Sequence, residues 1–131
     1  MKDAKKVASE VASAAKKARK LGFGQSSHVL VVCMDRKTGK CCRGDAMADA
    51  WKHLKTRCRE LRKSGREPVI RVKAECLDIC KGGPIIGVLP DDIWYGHCTP
   101  AVIDRIIDEH LSAGNVVEEY VIASKPSAAE R

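Results

Sequence analysis

Residues 28–33, HVLVVC, are a short β-branched apolar run with loop-forming stretches on both sides, GFGQSS before and MDRKTGKCCRGD after. Such a run reads as a buried strand. Its backbone donors and acceptors need partners, so the rest of the chain has to be built around it. Met47, Ala50, Trp51, Leu54, Cys58 and Leu61 recur at steps of three and four. That spacing predicts a helix from about Asp45 to Lys63, with Lys52, Lys55, Arg59, Arg62 and Lys63 on its opposite face. SGREP breaks it, and VIRVKA (69–74) alternates as a second strand. PIIGVL (84–89) and IWYGH (93–97) flank Pro-Asp-Asp, which predicts an antiparallel hairpin with proline in its favoured turn position. Thr99-Pro100 offers a cap followed by proline at the first helical position. The stripe Val102, Ile103, Ile106, Ile107 and Leu111 then runs to a stop at Gly114. EEYVIA (118–123) reads as a short strand or an extended tail.

The order is strand, helix, strand, strand, strand, helix. It predicts an α/β fold with a thioredoxin-like layout, a mixed sheet (β-α-β-β-β-α) with flanking helices. With 131 residues there is enough chain for one such domain. The domain is expected over residues 28–123, after a basic Ala/Lys-rich extension over 1–27 and before a disordered tail over 124–131. The extension holds seven Lys/Arg and two Asp/Glu, a net of +5, whereas the remaining residues hold 17 and 15, a net of +2. The formal +7 therefore reports the extension more than the domain. Aromatic residues make up 4%, too few for a stacking platform, and nucleic acid is not an expected partner. No apolar run approaches the length of a membrane span. The N-terminal stretch lacks the apolar core of a secretion signal, so a cytoplasmic, reducing location is expected.

In a reducing compartment a cysteine-rich chain points to metal or redox chemistry rather than to a disulfide framework. The seven cysteines, an odd number, agree with that. Cys33 closes the first strand, Cys41 and Cys42 lie in the loop after it, and Cys76 and Cys80 lie in the loop after the second strand. Both loops of a β-α-β unit emerge at the C-terminal edge of the sheet, which gathers four or five thiols from distant parts of the sequence. Soft thiolates suit both iron–sulfur clusters and zinc. Gly82 and Gly83 allow close approach of the backbone, whose amides, with that of Lys81, are suited to cluster sulfur. Cys58, mid-helix on the apolar face, is expected in the core, and Cys98 as a spare thiol. His28 and His53 read as structural and His97 as a surface histidine or one that supports a cluster ligand. His110 reads as a partner for the dipole at a helix C-terminus.

Cys33, eight residues, Cys42, then Cys76-x-x-x-Cys80 with a following glycine-proline, PDDIWYG, TPAVIDRIIDEHL and VEEYVI resemble the thioredoxin-like [2Fe-2S] ferredoxins from about His28 to Ile122. The resemblance implies a [2Fe-2S] cluster held by Cys33, Cys42, Cys76 and Cys80. The shortened CCRGD leaves Cys41 as a competitor of Cys42. It also implies a small electron carrier that is not an enzyme, with redox proteins as partners and a homodimer formed through the sheet edge. A related domain occurs in the small iron–sulfur subunit of NADH dehydrogenases. A zinc-stabilised or metal-free interaction module is a second reading, and a cluster-bearing subunit of that kind, or an assembly factor, a third. The cationic face of the first predicted domain helix reads as solvated, or as a docking face for an acidic redox partner.

Overall fold

The computed structural model describes residues 3–34, 44–65, 68–75, 77, 79 and 81–125. Among them, helix α1 (Ala4–Leu21) precedes strand β1 (Val29–Cys33), helix α2 (Gly44–Lys63) and strand β2 (Ile70–Ala74). Strands β3 (Ile86–Leu89) and β4 (Ile93–Tyr95), helix α3 (Pro100–Arg105) and strand β5 (Val121–Ala123) follow. The strands form one mixed sheet in the order β2-β1-β3-β4-β5. β1 runs parallel to β2 and antiparallel to β3, and the remaining pairs are antiparallel.

The strand predicted over 28–33 forms over 29–33 and sits between two neighbours, with an apolar side chain at each of its five positions. Leu30 and Val32 are each 1% exposed and pack with Leu54 of α2 and with Ile103, Ile106 and Ile107. The predicted stripe on α2 is the buried one: Met47, Ala50, Leu54 and Cys58 are buried, and Trp51 and Leu61 are half-buried. On β2, an edge strand, the positions paired with Leu30 and Val32 are Arg71 and Lys73. Their cationic heads lie over the Trp51 ring, 5.4 and 4.7 Å from its centroid, so the edge of the core is closed by charge over an aromatic face.

Thr99 caps α3 through its side chain, which accepts from the Val102 amide, and Pro100 opens the helix as predicted. The expected single helix, however, changes its winding. Over Ile106–Leu111 it widens to π-type hydrogen bonding, with the Ser112 amide donating to the Ile107 carbonyl. Asp104 fastens α3 to α2: it lies 2.7 Å from His53 Nε2 and accepts from Arg57 Nη1 at 2.6 Å, while Arg57 Nη2 donates to Asp108. Burial pushes the Asp104 carboxyl upward, but the hydrogen bonds from His53 and Arg57 outweigh it and hold the group below the usual carboxylate range.

The β3–β4 turn spans Pro90–Asp92 as expected, but differently from a turn with a trans proline. The Leu89–Pro90 bond is cis, and Asp92 takes a left-handed φ of 57°. The Asp92 carboxylate accepts from Trp94 Nε1 at 2.7 Å, laying the indole across Gly87 of the neighbouring strand. α1 is capped by Asp3, whose carboxylate accepts from the Lys6 amide, and it ends at Gly22 with φ 99°. None of its residues is buried, and Val7 and Val11 remain 43% and 62% exposed. Among the described residues no helix is long and apolar enough to cross a membrane.

A Cβ on Gly87 would overlap the Trp94 ring. Gly87→Ala is therefore expected to destabilise the protein by about 1–3 kcal/mol, read as a lower urea midpoint with altered Trp94 fluorescence. Asp104 has the opposite sign of effect with pH from a group whose affinity for protons rises on folding. Its folded value lies below its unfolded value of about 3.9, so its contribution is present above that pH and is lost as the pH falls through the lowered value. Asp104→Asn should flatten that part of the acid limb in a chemical-denaturation series against pH. An unchanged acid limb would exclude Asp104 as its source.

Candidate functional site

The parallel register pairs Cys33 with Ala74. The next amide along, Met34 N–H, donates to the Ala74 carbonyl at 2.7 Å. The two chains therefore leave β1 and β2 side by side, and Cys76 follows Ala74 by two residues. Cys33 itself is buried, 2% exposed, and its amide donates to the Ile85 carbonyl at 3.1 Å. Because β3 runs antiparallel to β1, its entrance, residues 81–85, lies at the same sheet end. Of the predicted cysteine group, Cys33 alone is described; Cys41, Cys42, Cys76 and Cys80 lie outside the described residues.

The described loop that follows is anchored from the far side of the hairpin. The Gly82 carbonyl accepts from the His97 amide at 2.6 Å, and the Pro84 carbonyl accepts from the Cys98 amide at 2.9 Å. Gly82 has a left-handed φ of 67°, which glycine adopts without strain. Gly96 is required for space instead: a Cβ there would stand 3.0 Å from the Gly82 carbonyl oxygen and 3.0 Å from Ile122. His97, exposed as predicted, stacks on Tyr120 with ring centroids 6.2 Å apart.

Two other thiols are removed from this chemistry by their surroundings. Cys98 is fully buried and donates to the carbonyls of Tyr95 and Gly96, and burial pushes its pKa up to about 12. Burial also raises Cys58, against the opposing pull of Arg71 and other guanidinium groups. Both remain protonated at neutral pH, in keeping with their reading as core and spare thiols.

A second polar group was not legible in the sequence. His110, expected to serve a helix dipole, is instead 3% exposed, with Nδ1 2.7 Å from the Tyr95 hydroxyl and Nε2 2.7 Å from Asp91. His28 reaches the same carboxylate. Their separations in sequence, 28 to 91 to 110, leave no local pattern to find.

No family model matches the chain. A 2Fe-2S ferredoxin from Aquifex aeolicus (strain VF5) is 42% identical over 48 residues, which cover 37% of this chain and 43% of the relative. A 2Fe-2S ferredoxin from Clostridium pasteurianum is 38% identical over 47 residues, covering 36% of this chain and 46% of the relative. The chain thus matches less than half the length of these curated relatives. The fold extends the likeness: the structure of a thioredoxin-like [2Fe-2S] ferredoxin from Aquifex aeolicus superposes with a TM-score of 0.66 at 26% identity, covering 79% of this chain and 97% of that one. Sequence and fold both support the thioredoxin-like [2Fe-2S] ferredoxin family. The mixed sheet with its helices is accordingly a thioredoxin-like fold, as the order of elements predicted.

Within this ferredoxin-like fold, Cys98 and Cys58 should resist alkylation at pH 8 in the native protein and react once it is unfolded. Mass spectrometry of peptides after iodoacetamide treatment checks this. Labelling of native Cys98 at the rate of a free thiol would contradict its burial.

Proposed function

We propose that residues 28–123 form a small one-electron carrier holding one [2Fe-2S] cluster through the thiolates of Cys33, Cys42, Cys76 and Cys80. One observation carries this reading: the Cys33–Ala74 register, which sends both cysteine-bearing loops off the same sheet edge. The similarity to proteins named 2Fe-2S ferredoxins supports the choice of group. The donor set fits it as well, because four soft thiolates satisfy the two irons of such a cluster.

When bound, the cluster supplies the one-electron couple. The chain's own residues hold, shield and tune. Cys33 contributes its thiolate from the end of a buried central strand, a rigid support. The Gly82–His97 and Pro84–Cys98 hydrogen bonds fix the loop that follows Cys80, whose backbone amides would serve the cluster sulfur. Lys81, exposed beside that loop, adds positive charge, which favours the more negative reduced state. The exposed cations Lys52, Lys55, Arg59 and Arg62 on α2 suit encounter with an acidic redox protein. Residues 1–27 are then an accessory basic extension. The sheet edges at β2 and β5, with Val72 and Ile122 40% and 47% exposed, suit pairing of two copies, and a reducing cytoplasm suits the thiols.

The test is anaerobic visible absorption and EPR of the purified protein before and after dithionite, with iron and acid-labile sulfide determined. A coloured, EPR-silent protein that gives an S = ½ signal on one-electron reduction is expected. Cys76→Ser and Cys80→Ser should lose or destabilise that signal, and Cys58→Ser should retain it. A colourless protein holding zinc without sulfide, even after anaerobic reconstitution, would replace the carrier with a zinc-stabilised module. Loss of the signal in Cys58→Ser alone would overturn the ligand set.

A further inference from the structure

His28, Asp91 and His110 meet at the end of the sheet opposite Cys33. His28 lies just before β1, Asp91 in the β3–β4 turn, and His110 in the π-wound turns after α3. His110 Nε2 is 2.7 Å from Asp91 Oδ2, and His28 Nε2 is 3.5 Å from the same oxygen. One ligand atom from each of the three residues falls within 4.8 Å of the other two. The imidazole rings stand edge to face, 75° apart with centroids 6.0 Å apart, so they converge on the carboxylate from different directions.

The outer nitrogen of each ring also has a fixed partner. His110 Nδ1 lies 2.7 Å from the Tyr95 hydroxyl oxygen, and His28 Nδ1 lies 3.1 Å from Ser27 Oγ. Both partners are hydroxyls, which can donate to a bare ring nitrogen or accept from a protonated one. The Tyr95 oxygen accepts from the Val117 amide at 3.1 Å and has a second lone pair for His110. The 2.7 Å contact holds a proton between His110 Nε2 and Asp91 in the metal-free protein; with the ring protons on Nδ1 instead, where the two hydroxyls can accept them, the Nε2 lone pairs face Asp91. That is the tautomer a metal-ligating imidazole needs, with its outer nitrogen oriented as in known metal sites.

We propose that His28, Asp91 and His110 form a binding site for a divalent transition cation, zinc in particular, with the fourth position open to water. Two imidazole nitrogens and one carboxylate oxygen suit zinc rather than calcium or magnesium, which take oxygen ligands. Tetrahedral ligands at zinc distances stand about 3.3 Å apart, close to the present His28–Asp91 separation. The His110–Asp91 pair has to open by only about 0.6 Å from its hydrogen-bond distance, the ring proton on Nε2 being exchanged for one on Nδ1. The side chains are graded in exposure, Asp91 at 33%, His28 at 16% and His110 at 3%. A cation therefore enters past the carboxylate and meets a rigid histidine beneath it. The site lies about 16 Å along β1 from Cys33, so it stands or falls independently of the cysteine ligands.

The chain has four histidines, which makes a ring-nitrogen NMR spectrum assignable. Full-length protein labelled with ¹⁵N-histidine is titrated with zinc chloride, in steps continued past saturation of the thiols. The Nε2 signals of His28 and His110 are expected to shift together, while those of His53 and His97 stay in place. The paired shift should vanish in His28→Gln and in Asp91→Asn, each checked for native circular dichroism, and persist in Cys33→Ser. Histidine signals that never move, with zinc taken up only by thiols, would reduce the group to a hydrogen-bonded structural cluster. A paired shift that survived Asp91→Asn would likewise overturn the site.

Discussion

The parallel pairing of β1 with β2 is the constraint on which the rest of the structure depends. A parallel pair cannot be joined by a tight turn, so the chain has to cross over, and α2 is that crossover. Once α2 covers Leu30 and Val32, its apolar stripe and that of the α3 region meet over one face of the sheet. The same pairing also aligns Cys33 with Ala74 and so makes two remote loops neighbours. Antiparallel pairing of β1 with β3 then returns the Gly82–Ile85 segment to the same end, where the hairpin's outgoing strand ties it down through His97 and Cys98.

Cysteine chemistry in this chain is divided by environment rather than by number. Cys58 and Cys98 sit in apolar surroundings, where ionisation costs solvation that nothing fully restores, so their thiols are raised and behave as small hydrophobic groups. Cys33, by contrast, closes a parallel strand at the end of the sheet where β2 ends beside it. A loop site on a rigid sheet joins close approach by a ligand with fixed supporting atoms. That combination suits a cofactor whose surroundings have to change little when charge is added.

The two ends of the sheet carry different donors. Cys33 closes β1 at one end, whereas imidazole and carboxylate gather near the N-terminal end of β1 and the β3–β4 turn. Soft and intermediate donors separated by the length of a strand do not compete for one ion. The hydrogen bonds that orient His110 also join Tyr95 and the Val117 amide. This end of the sheet is thus bound into the core through β4 and the segment that leads to β5.

Local patterns were enough to locate the elements. The β-branched run at 28–33, the three-and-four spacing of α2, the Pro-Asp-Asp turn and the Thr99-Pro100 start each depend on neighbours within a few residues, and each appears within a residue or two of its expected bounds. The order of elements also implied the shared sheet edge of the two cysteine loops, because a β-α-β unit allows little else. Tertiary structure alone decided the strand order β2-β1-β3-β4-β5, the π-type winding over 106–111, and the burial of His110 between Tyr95 and Asp91. The physical reason is range: propensity and periodicity act along the chain, whereas a histidine's partner is chosen by packing between segments that the sequence keeps dozens of residues apart.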